Sequence, residues 1–512
     1  MQQKSTFAFI LHQNHLFRLR SRDIIAKLAG QTAVYGLSSI IGRLLNYLLT
    51  PLLTRVFNQG DYGIITELYS YSGFFMVLFV YGMETAFFRY IKQAQQAERV
   101  YSTIMWSLLA STLLFTGLLT LFAPQIAALI QYPNHPEYIV WFAFILGLDA
   151  LTAVPFARLR YEEKAWRFAG IRLFNIAVNI VLVLFFLVYC PAHAQHNAFI
   201  GELYQPHVGI GYVFIANLIA SICTLLLLFP ELLKIQLRFD AALWKQMMRY
   251  ALPLVVVGFA GIVNEMLDRV ILKYLLPYNM ATNQAMLGVY GACYKLSILM
   301  SLFTQSFRFA AEPMFFSHSG TQSAPKLYAD SMKYFVVAGM VIFMGVMFFL
   351  DFFQHFIGKS FREGLAVVPF LLLANLFLGM YYNLSIWYKL TNKTQIGAYI
   401  SVGGALITIL LNVLLVPWFG YMGAAWATLV CYAAMTFTSF LAGQHYYPVP
   451  YQTARIMAYM GLGTAMVIAD HFWLVNLPND LLAFTVRVAM LLLFIAAVYL
   501  HETGMLQKRG VG

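Results

Sequence analysis

Charge is scarce in this chain. Of its 512 residues 11% are Asp, Glu, Lys or Arg, 61% are hydrophobic, and the mean hydropathy is +0.70. A soluble domain carries about a quarter charged residues, so an ordinary globular enzyme is excluded. Cysteine is scarcer still. Cys190, Cys223, Cys293 and Cys431 lie in or at the ends of apolar runs with no CxxC pair, which points to neither disulfides nor a thiolate metal site. The histidines (His135, His193, His196, His207, His318, His355, His445) sit in or beside loops and none falls mid-membrane. His193 and His196 have the spacing of two ligands but lack a third. There is no Walker-type glycine loop and no nucleophile elbow. The loops opposite the basic ones are short, the longest spanning 191–206, which leaves a membrane glycosyltransferase nowhere to build its site. The expectation is a protein that is not an enzyme and needs neither cofactor nor metal.

What is present is a succession of apolar runs of about twenty residues, the length a hydrocarbon core requires. About fourteen are legible, near 28–54, 62–89, 101–123, 138–157, 168–190, 207–229, 250–276, 286–309, 331–353, 364–388, 395–416, 421–443, 453–473 and 480–500. The clean apolar part of the thirteenth, Ile456 to Ala469, is short. The net charge of +12 comes from alternate loops rather than from a nucleic-acid-binding face. Basic residues gather at Arg18, Arg20, Arg22 and Lys27, where no cleavage site follows. They recur at Arg89, Lys92 and Arg99, at Arg158, Arg160, Lys164 and Arg167, and at Lys234, Arg238, Lys245 and Arg249. Further along they appear at Arg308, Lys326 and Lys333, at Lys389 and Lys393, and at Lys508 and Arg509. Loops 124–137, 191–206, 417–420 and 474–479 hold no lysine or arginine; Arg55, Lys359 and Arg362 are the exceptions on that side. By the positive-inside rule both termini are cytoplasmic, in an inner membrane.

Charges inside the spans carry the functional signal. From Thr32 to Thr54 the non-apolar residues Thr32, Gly36, Ser39, Arg43, Asn46, Thr50 and Thr54 recur at steps of three and four, on one helical face. An arginine in hydrocarbon costs several kcal/mol, so Arg43 faces a bundle interior or a wet cavity. No acid lies within four residues of it, so it either binds a ligand or neutralises an acid on another helix, such as Glu67 or Asp149. The seventh span clusters Gly258, Gly261, Glu265, Asp268 and Arg269 on one face. Glu265 and Arg269 could simply pair, or could carry a coupling ion. Lys295 lies in the outer half of the eighth span. Glu84 and Arg308 are near enough to the inner surface to snorkel, and Arg487 reads as a packing or interfacial residue. Tyr101, Trp106, Trp141 and Trp418 read as lipid-facing or interfacial. Tyr381, Tyr382, Asn383 and Trp387 read as interface anchors or as sugar-contacting groups. A faint repeat relates Gly63 and Tyr69 to Gly288 and Tyr294 at constant offset, with Asn46 and Asn264 as rough counterparts. Two six-helix halves plus two further helices would account for the count, and such symmetry commonly places the substrate between the halves. The divisions are 1–27 (cytoplasmic segment), 28–240 and 241–445 (helix bundles), and 446–512 (two added helices and a tail).

The segment Leu49-Thr50-Pro51-Leu52-Leu53-Thr54-Arg55-Val56-Phe57, followed by Asp61-Tyr62-Gly63, resembles the start of the polysaccharide flippases. In them a first helix ending in P-x-x-T-R precedes Y-G at the head of the second. Gly82, Arg89, Asp268-Arg269, and Pro369 after the Gly364 loop also fit, and the resemblance runs over roughly 28–440. It implies the multidrug/oligosaccharidyl-lipid/polysaccharide exporter superfamily, with two six-helix bundles meeting in a V around a cationic cavity. Arg43 falls where lipid II flippases have a cavity arginine. The expected protein is an all-α polytopic flippase that moves a polyprenyl-diphosphate-linked oligosaccharide across the bilayer. Its substrate-binding residues are Arg43, Asn46, Arg269 and Lys295, and Glu265 and Asp268 serve a coupling ion, H+ or Na+. The alternative within the superfamily is a cation-coupled multidrug exporter, which would favour an acidic, aromatic cavity.

Overall fold

The computed structural model describes residues 36–38, 40–91, 97–474 and 480–509, which form helices and no strand. Segment 1–27, Thr32, Ser39, Lys92 and most of loop 474–479 lie outside these residues. The helices are α1 (Gly36–Val56), α2 (Gln59–Ile91), α3 (Ala97–Leu121), α4 (Pro136–Tyr161) and α5 (Ala165–His193). Then follow α6 (Gly211–Leu227), α7 (Ala241–Leu275), α8 in two pieces (Met280–Leu296 and Ile298–Ser317), α9 (Ala324–Phe348) and α10 (Lys359–Leu390). The last four are α11 (Thr394–Phe419), α12 (Tyr421–Tyr446), α13 (Thr453–Ala469) and α14 (Asp480–Arg509). Eleven helices are long and apolar enough to cross a membrane, or up to thirteen if each of two bent pairs is one span. The thirteenth expected span, already short in sequence, is the 17-residue α13, which falls below that length.

Breaks in three places redirect the chain. Before α6 it turns through 114° between Ala198–Val208 and the helix proper, at Gly209, whose φ of +50° suits glycine. In α2 the left-handed pair Tyr81 and Gly82 ends one helical piece at Val80 and starts the next at Met83. In α8 the axis bends by 48° at Ser297, two residues after Lys295.

The faint repeat acquires a physical meaning where α2 crosses α8. A Cβ on Gly63 would overlap the carbonyl oxygen of Gln284, and one on Gly288 would overlap that of Gln59. The offset that relates Gly63 to Gly288 also relates Gln59 to Gln284. The contact is therefore reciprocal, as at an approximate two-fold axis. Glycine is required on both sides because the two backbones touch. The helices also start alike: Asn58 accepts from the Asp61 amide, and Asn279 from the Thr282 amide. Gly63→Val should push α2 off α8 by overpacking. Gln59 Nε2 donates to the Ser360 carbonyl at 2.6 Å, so a Gln59→Cys/Ser360→Cys pair, with the four native cysteines replaced, reports that approach. The expected outcome is a clear fall in cross-linking yield on adding Gly63→Val; an unchanged yield would show that the crossing has room.

The basic end of the first half is held by ion pairs. Arg158 binds Glu98 at 2.5 and 2.8 Å and Glu162 at 2.7 Å, and fully buried Glu231 takes Arg167 at 2.9 Å and Lys234 at 2.5 Å. Burial pushes the Glu162 carboxyl up, but hydrogen bonds from Lys164 and Arg158 outweigh it and hold it down at about 2. Glu84 pairs with Arg160 instead of snorkelling, and Arg487 bridges Asp470 at 2.8 Å and Asp351 at 3.4 Å. Two aromatic expectations are corrected. Tyr101 is 1% exposed and donates to the Glu231 carbonyl, and Trp387, also 1% exposed, donates to the Ser439 carbonyl at 3.1 Å. Each ring fills a gap between helices because its polar atom finds a partner there. Trp418, at 84% exposed, keeps the expected lipid-facing place.

Candidate functional site

The charged residues of α1, α7 and α8 meet around two tyrosines of the second half. Helix α1 leans on that half along its length. A Cβ on Gly36 would stand 3.4 Å from the Phe309 ring of α8, and Tyr47 stacks on Phe356 with centroids 4.0 Å apart. Arg43 lies between these two anchors, solvent-exposed, with its charge acting on the Tyr382 hydroxyl of α10. Arg308 of α8 stacks over the same Tyr382 ring at 4.7 Å, and the Glu265 carboxylate acts on its hydroxyl too. Tyr382 is thus where the charges of Arg43 on α1, Glu265 on α7 and Arg308 on α8 converge.

The second tyrosine, Tyr294, carries the Arg269 guanidinium 3.8 Å above its ring. Lys295 follows it, solvent-exposed yet close enough to Arg269 for the two charges to repel. The helix breaks at Ser297 immediately beyond, so Lys295 stands on the last turn of the first piece of α8. Glu265 is exposed, and its charge acts on Arg269 and on the Tyr382 hydroxyl. Among the described residues no carboxylate comes within ion-pair distance of Arg43, Arg269 or Lys295, and the possible Glu265–Arg269 pair does not form. Arg308 reaches Glu312 only at 3.7 Å, and Lys389 also holds that acid. This region therefore has an excess of cations without an ion pair among the described residues, with an aromatic face beneath Arg269.

The remaining expected site residues are placed differently. Asp268 is 3% exposed; its carboxylate accepts from the Tyr290 hydroxyl at 2.6 Å and from the Arg269 amide at 2.8 Å. Asn46 is exposed one turn beyond Arg43, whereas its rough counterpart Asn264 is buried. Asn264 donates to the Ser401 carbonyl, accepts from Thr408, and its carbonyl takes the Tyr432 hydroxyl at 3.0 Å. The two halves have diverged here: one asparagine faces the cavity and the other braces α7 against α11 and α12. Neither acid weighed as a partner for Arg43 forms an ion pair with it among the described residues. Asp149 accepts from Ser221 at 2.8 Å, and Glu67 is bound to Lys273.

Lys273 is a residue that sequence reasoning missed, although its place one turn after Arg269 was a signal. Glu67 of α2 and Lys273 of α7 are both fully buried and meet at 3.0 Å, tying the two halves together near the end opposite the basic loops. Tyr132 donates to the Glu67 carboxylate, and Lys273 donates to the Ile130 carbonyl at 2.7 Å and stands 4.0 Å over the Tyr132 ring. At the same end Arg55 donates to the His355 carbonyl, and Gln59 to Ser360 and Glu363. With the Gly63–Gly288 crossing, these contacts close that end between the halves.

Comparison with known proteins agrees with this geometry. No curated protein matches the chain. Among solved structures it is similar to a lipid II flippase, MurJ, in an inward closed conformation, with TM-score 0.71 at 13% identity over 92% of this chain and 99% of that one. It is also similar to a multidrug resistance MATE family transporter of the MOP superfamily in its inward-facing conformation. That match has TM-score 0.58 at 14% identity over 84% of this chain and 94% of that one. A third, the eukaryotic MATE transporter AtDTX14, matches with TM-score 0.51 at 14% identity over 88% and 99%. At such identities the likeness establishes the fold. The sequence itself matches the family described as "Polysaccharide biosynthesis protein" over residues 28–319, more than half of its length. The chain is a member of that polysaccharide biosynthesis family.

Proposed function

We propose that this protein is a flippase that carries a polyprenyl-diphosphate-linked oligosaccharide across the inner membrane by alternating access, for cell-surface polysaccharide synthesis. The observation that carries the reading is the set of exposed or half-buried cations without an ion pair among the described residues: Arg269 and Lys295 beside each other on α7 and α8, and Arg43 on α1, whose charge reaches Tyr382. A diphosphate entering hydrocarbon costs ~3 kcal/mol or more per charge even on insertion scales. Guanidinium and ammonium groups that lack an internal partner can replace the lost hydration, while the lipid tail stays in the bilayer. The similar structure named a lipid II flippase supports a lipid-linked cargo. A cation-coupled multidrug exporter fits less well, because a lipophilic cation would meet net positive charge.

The test is a vesicle assay with purified protein and a fluorescent polyprenyl-diphosphate-linked oligosaccharide. Protein-dependent exposure of the label on the far leaflet is expected; exclusive movement of a cationic dye would overturn the reading in favour of the exporter. We assign coupling to Glu265, the exposed acid whose charge acts on Arg269. Glu265→Gln is expected to slow movement and flatten its dependence on an imposed H+ or Na+ gradient, and wild-type behaviour across pH would remove the assignment. Asp268 has a supporting part, holding Tyr290 and the turn that aims Arg269.

Loop charge orients the molecule with the basic end and both termini cytoplasmic. A reporter after Lys164 should then read cytoplasmic and one after His196 periplasmic. The same side for both would remove the span count and the halves built on it.

A further inference from the structure

A second polar stripe runs along α5, separate from the cations of α1, α7 and α8. Arg172, Asn175 and Asn179 recur at steps of three and four, on one face. Arg172 is solvent-exposed, its guanidinium 4.7 Å over Phe156 and 5.6 Å over Phe168. The charges of Asp149 and Glu84 act on it, yet it forms no ion pair among the described residues. Its neighbours at that end, Arg158, Arg160, Arg167 and Lys234, are each paired. Asn175 donates to the Thr224 hydroxyl at 2.8 Å. The Asn179 amide oxygen is buried with no hydrogen-bond partner among the described residues. Facing helices add Asp149, which accepts from Ser221, and Tyr69, whose hydroxyl accepts from Asn217 at 3.1 Å.

Two features of this cluster call for a ligand. A buried amide oxygen left without a donor is costly, and folded proteins seldom tolerate one without a reason. Arg172, stacked on Phe156 and Phe168 without an ion pair among the described residues, keeps the donors of its guanidinium for a ligand. The cluster mixes donors, acceptors and aromatic faces with nearly balanced charge. A diphosphate would be repelled by Asp149, and an organic cation by Arg172. Vicinal hydroxyls, which donate to carboxylate and amide oxygens and accept from guanidinium and amide nitrogens, satisfy all of them. Gly42, next to Arg43, abuts Ile176 in the middle of the stripe, where an added Cβ would stand 2.7 Å from its Cδ1. The stripe therefore lies at the membrane depth of Arg43, alongside the place assigned above to the diphosphate.

We propose that Arg172, Asn179 and Asp149 form a sugar subsite in the first half of the molecule, which receives uncharged hexose units beyond the first of a lipid-linked oligosaccharide. The assignment rests on the flippase reading. The test compares two probes in vesicles: polyprenyl diphosphate bearing one N-acetylhexosamine, and the same lipid bearing a neutral pentasaccharide. Arg172→Gln and Asn179→Ala are each expected to slow the pentasaccharide probe tenfold and to leave the single-sugar probe within twofold of wild type. Asn179→Ser, a smaller change, carries the same comparison if either variant fails to fold. Equal losses on both probes would make the stripe structural, and no loss on either would remove the subsite. If wild type moves neither probe, the flippase reading itself falls and takes the subsite with it.

Discussion

Arg43→Ala should abolish movement of the lipid-linked oligosaccharide while the protein still inserts at normal abundance. The guanidinium is exposed, has no acid within ion-pair distance among the described residues, and sits on a helix held by Gly36 and Tyr47 rather than by Arg43 itself. Removing it therefore leaves no buried charge unpaired and costs the fold little. It does cost the cargo two charge-assisted hydrogen bonds, together about 3 kcal/mol, or roughly a hundredfold in the occupied state. Arg43→Lys keeps the charge but loses the planar fork, so partial activity is expected. Lys295→Ala should show a milder loss, since Arg269 remains beside it. Membrane abundance and vesicle transport, measured together, decide the case. Full transport by well-expressed Arg43→Ala would end the diphosphate assignment. A fall in abundance instead would mean that Arg43 is structural after all.

The second large effect is expected at Glu67 and Lys273. Both are fully buried and join α2 to α7, so losing one partner strands the other's charge, at about 3–5 kcal/mol. Lys273→Met alone should sharply lower abundance, because Glu67 would keep tyrosine hydroxyls, such as those of Tyr132 and Tyr274, but no cation among the described residues. The double variant Glu67→Gln/Lys273→Met removes both charges and should recover abundance, since replacing a buried pair by apolar or neutral groups is often near neutral. Transport should not recover with it. Alternating access requires this end to open and reclose, and the ion pair holds it shut here, together with Gln59, Arg55 and the glycine crossing. The Gln59→Cys/Ser360→Cys pair should cross-link less in the double variant than in wild type. Wild-type cross-linking and wild-type transport in the double variant would reduce the pair to packing.

The sequence by itself determined the solvent and the architecture. Hydrocarbon leaves backbone groups no partner outside their own segment, so apolar runs of this length must be helices, and loop charge numbers their sides. It also identified Arg43, Glu265, Arg269 and Lys295 as the charges worth explaining, because a charge in such a run is costly wherever it lands. The matching positions of Gly63 and Gly288 were visible as well, though only as a coincidence of spacing. Tertiary structure decided who meets whom. It joined Glu67 to Lys273 across about two hundred residues, took Asp268 for Tyr290, set Arg269 over Tyr294, and left Arg43 and Arg269 without a carboxylate among the described residues. It buried Trp387 and Tyr101, which periodicity alone could not distinguish from lipid-facing rings. The reason is that in a chain apolar on every face the hydrophobic pattern no longer marks which side of a helix is inside. Only backbone contact, as at Gly63 and Gly288, and the pairing of distant polar groups fix the rotation of each helix, and with it the wall of the cavity.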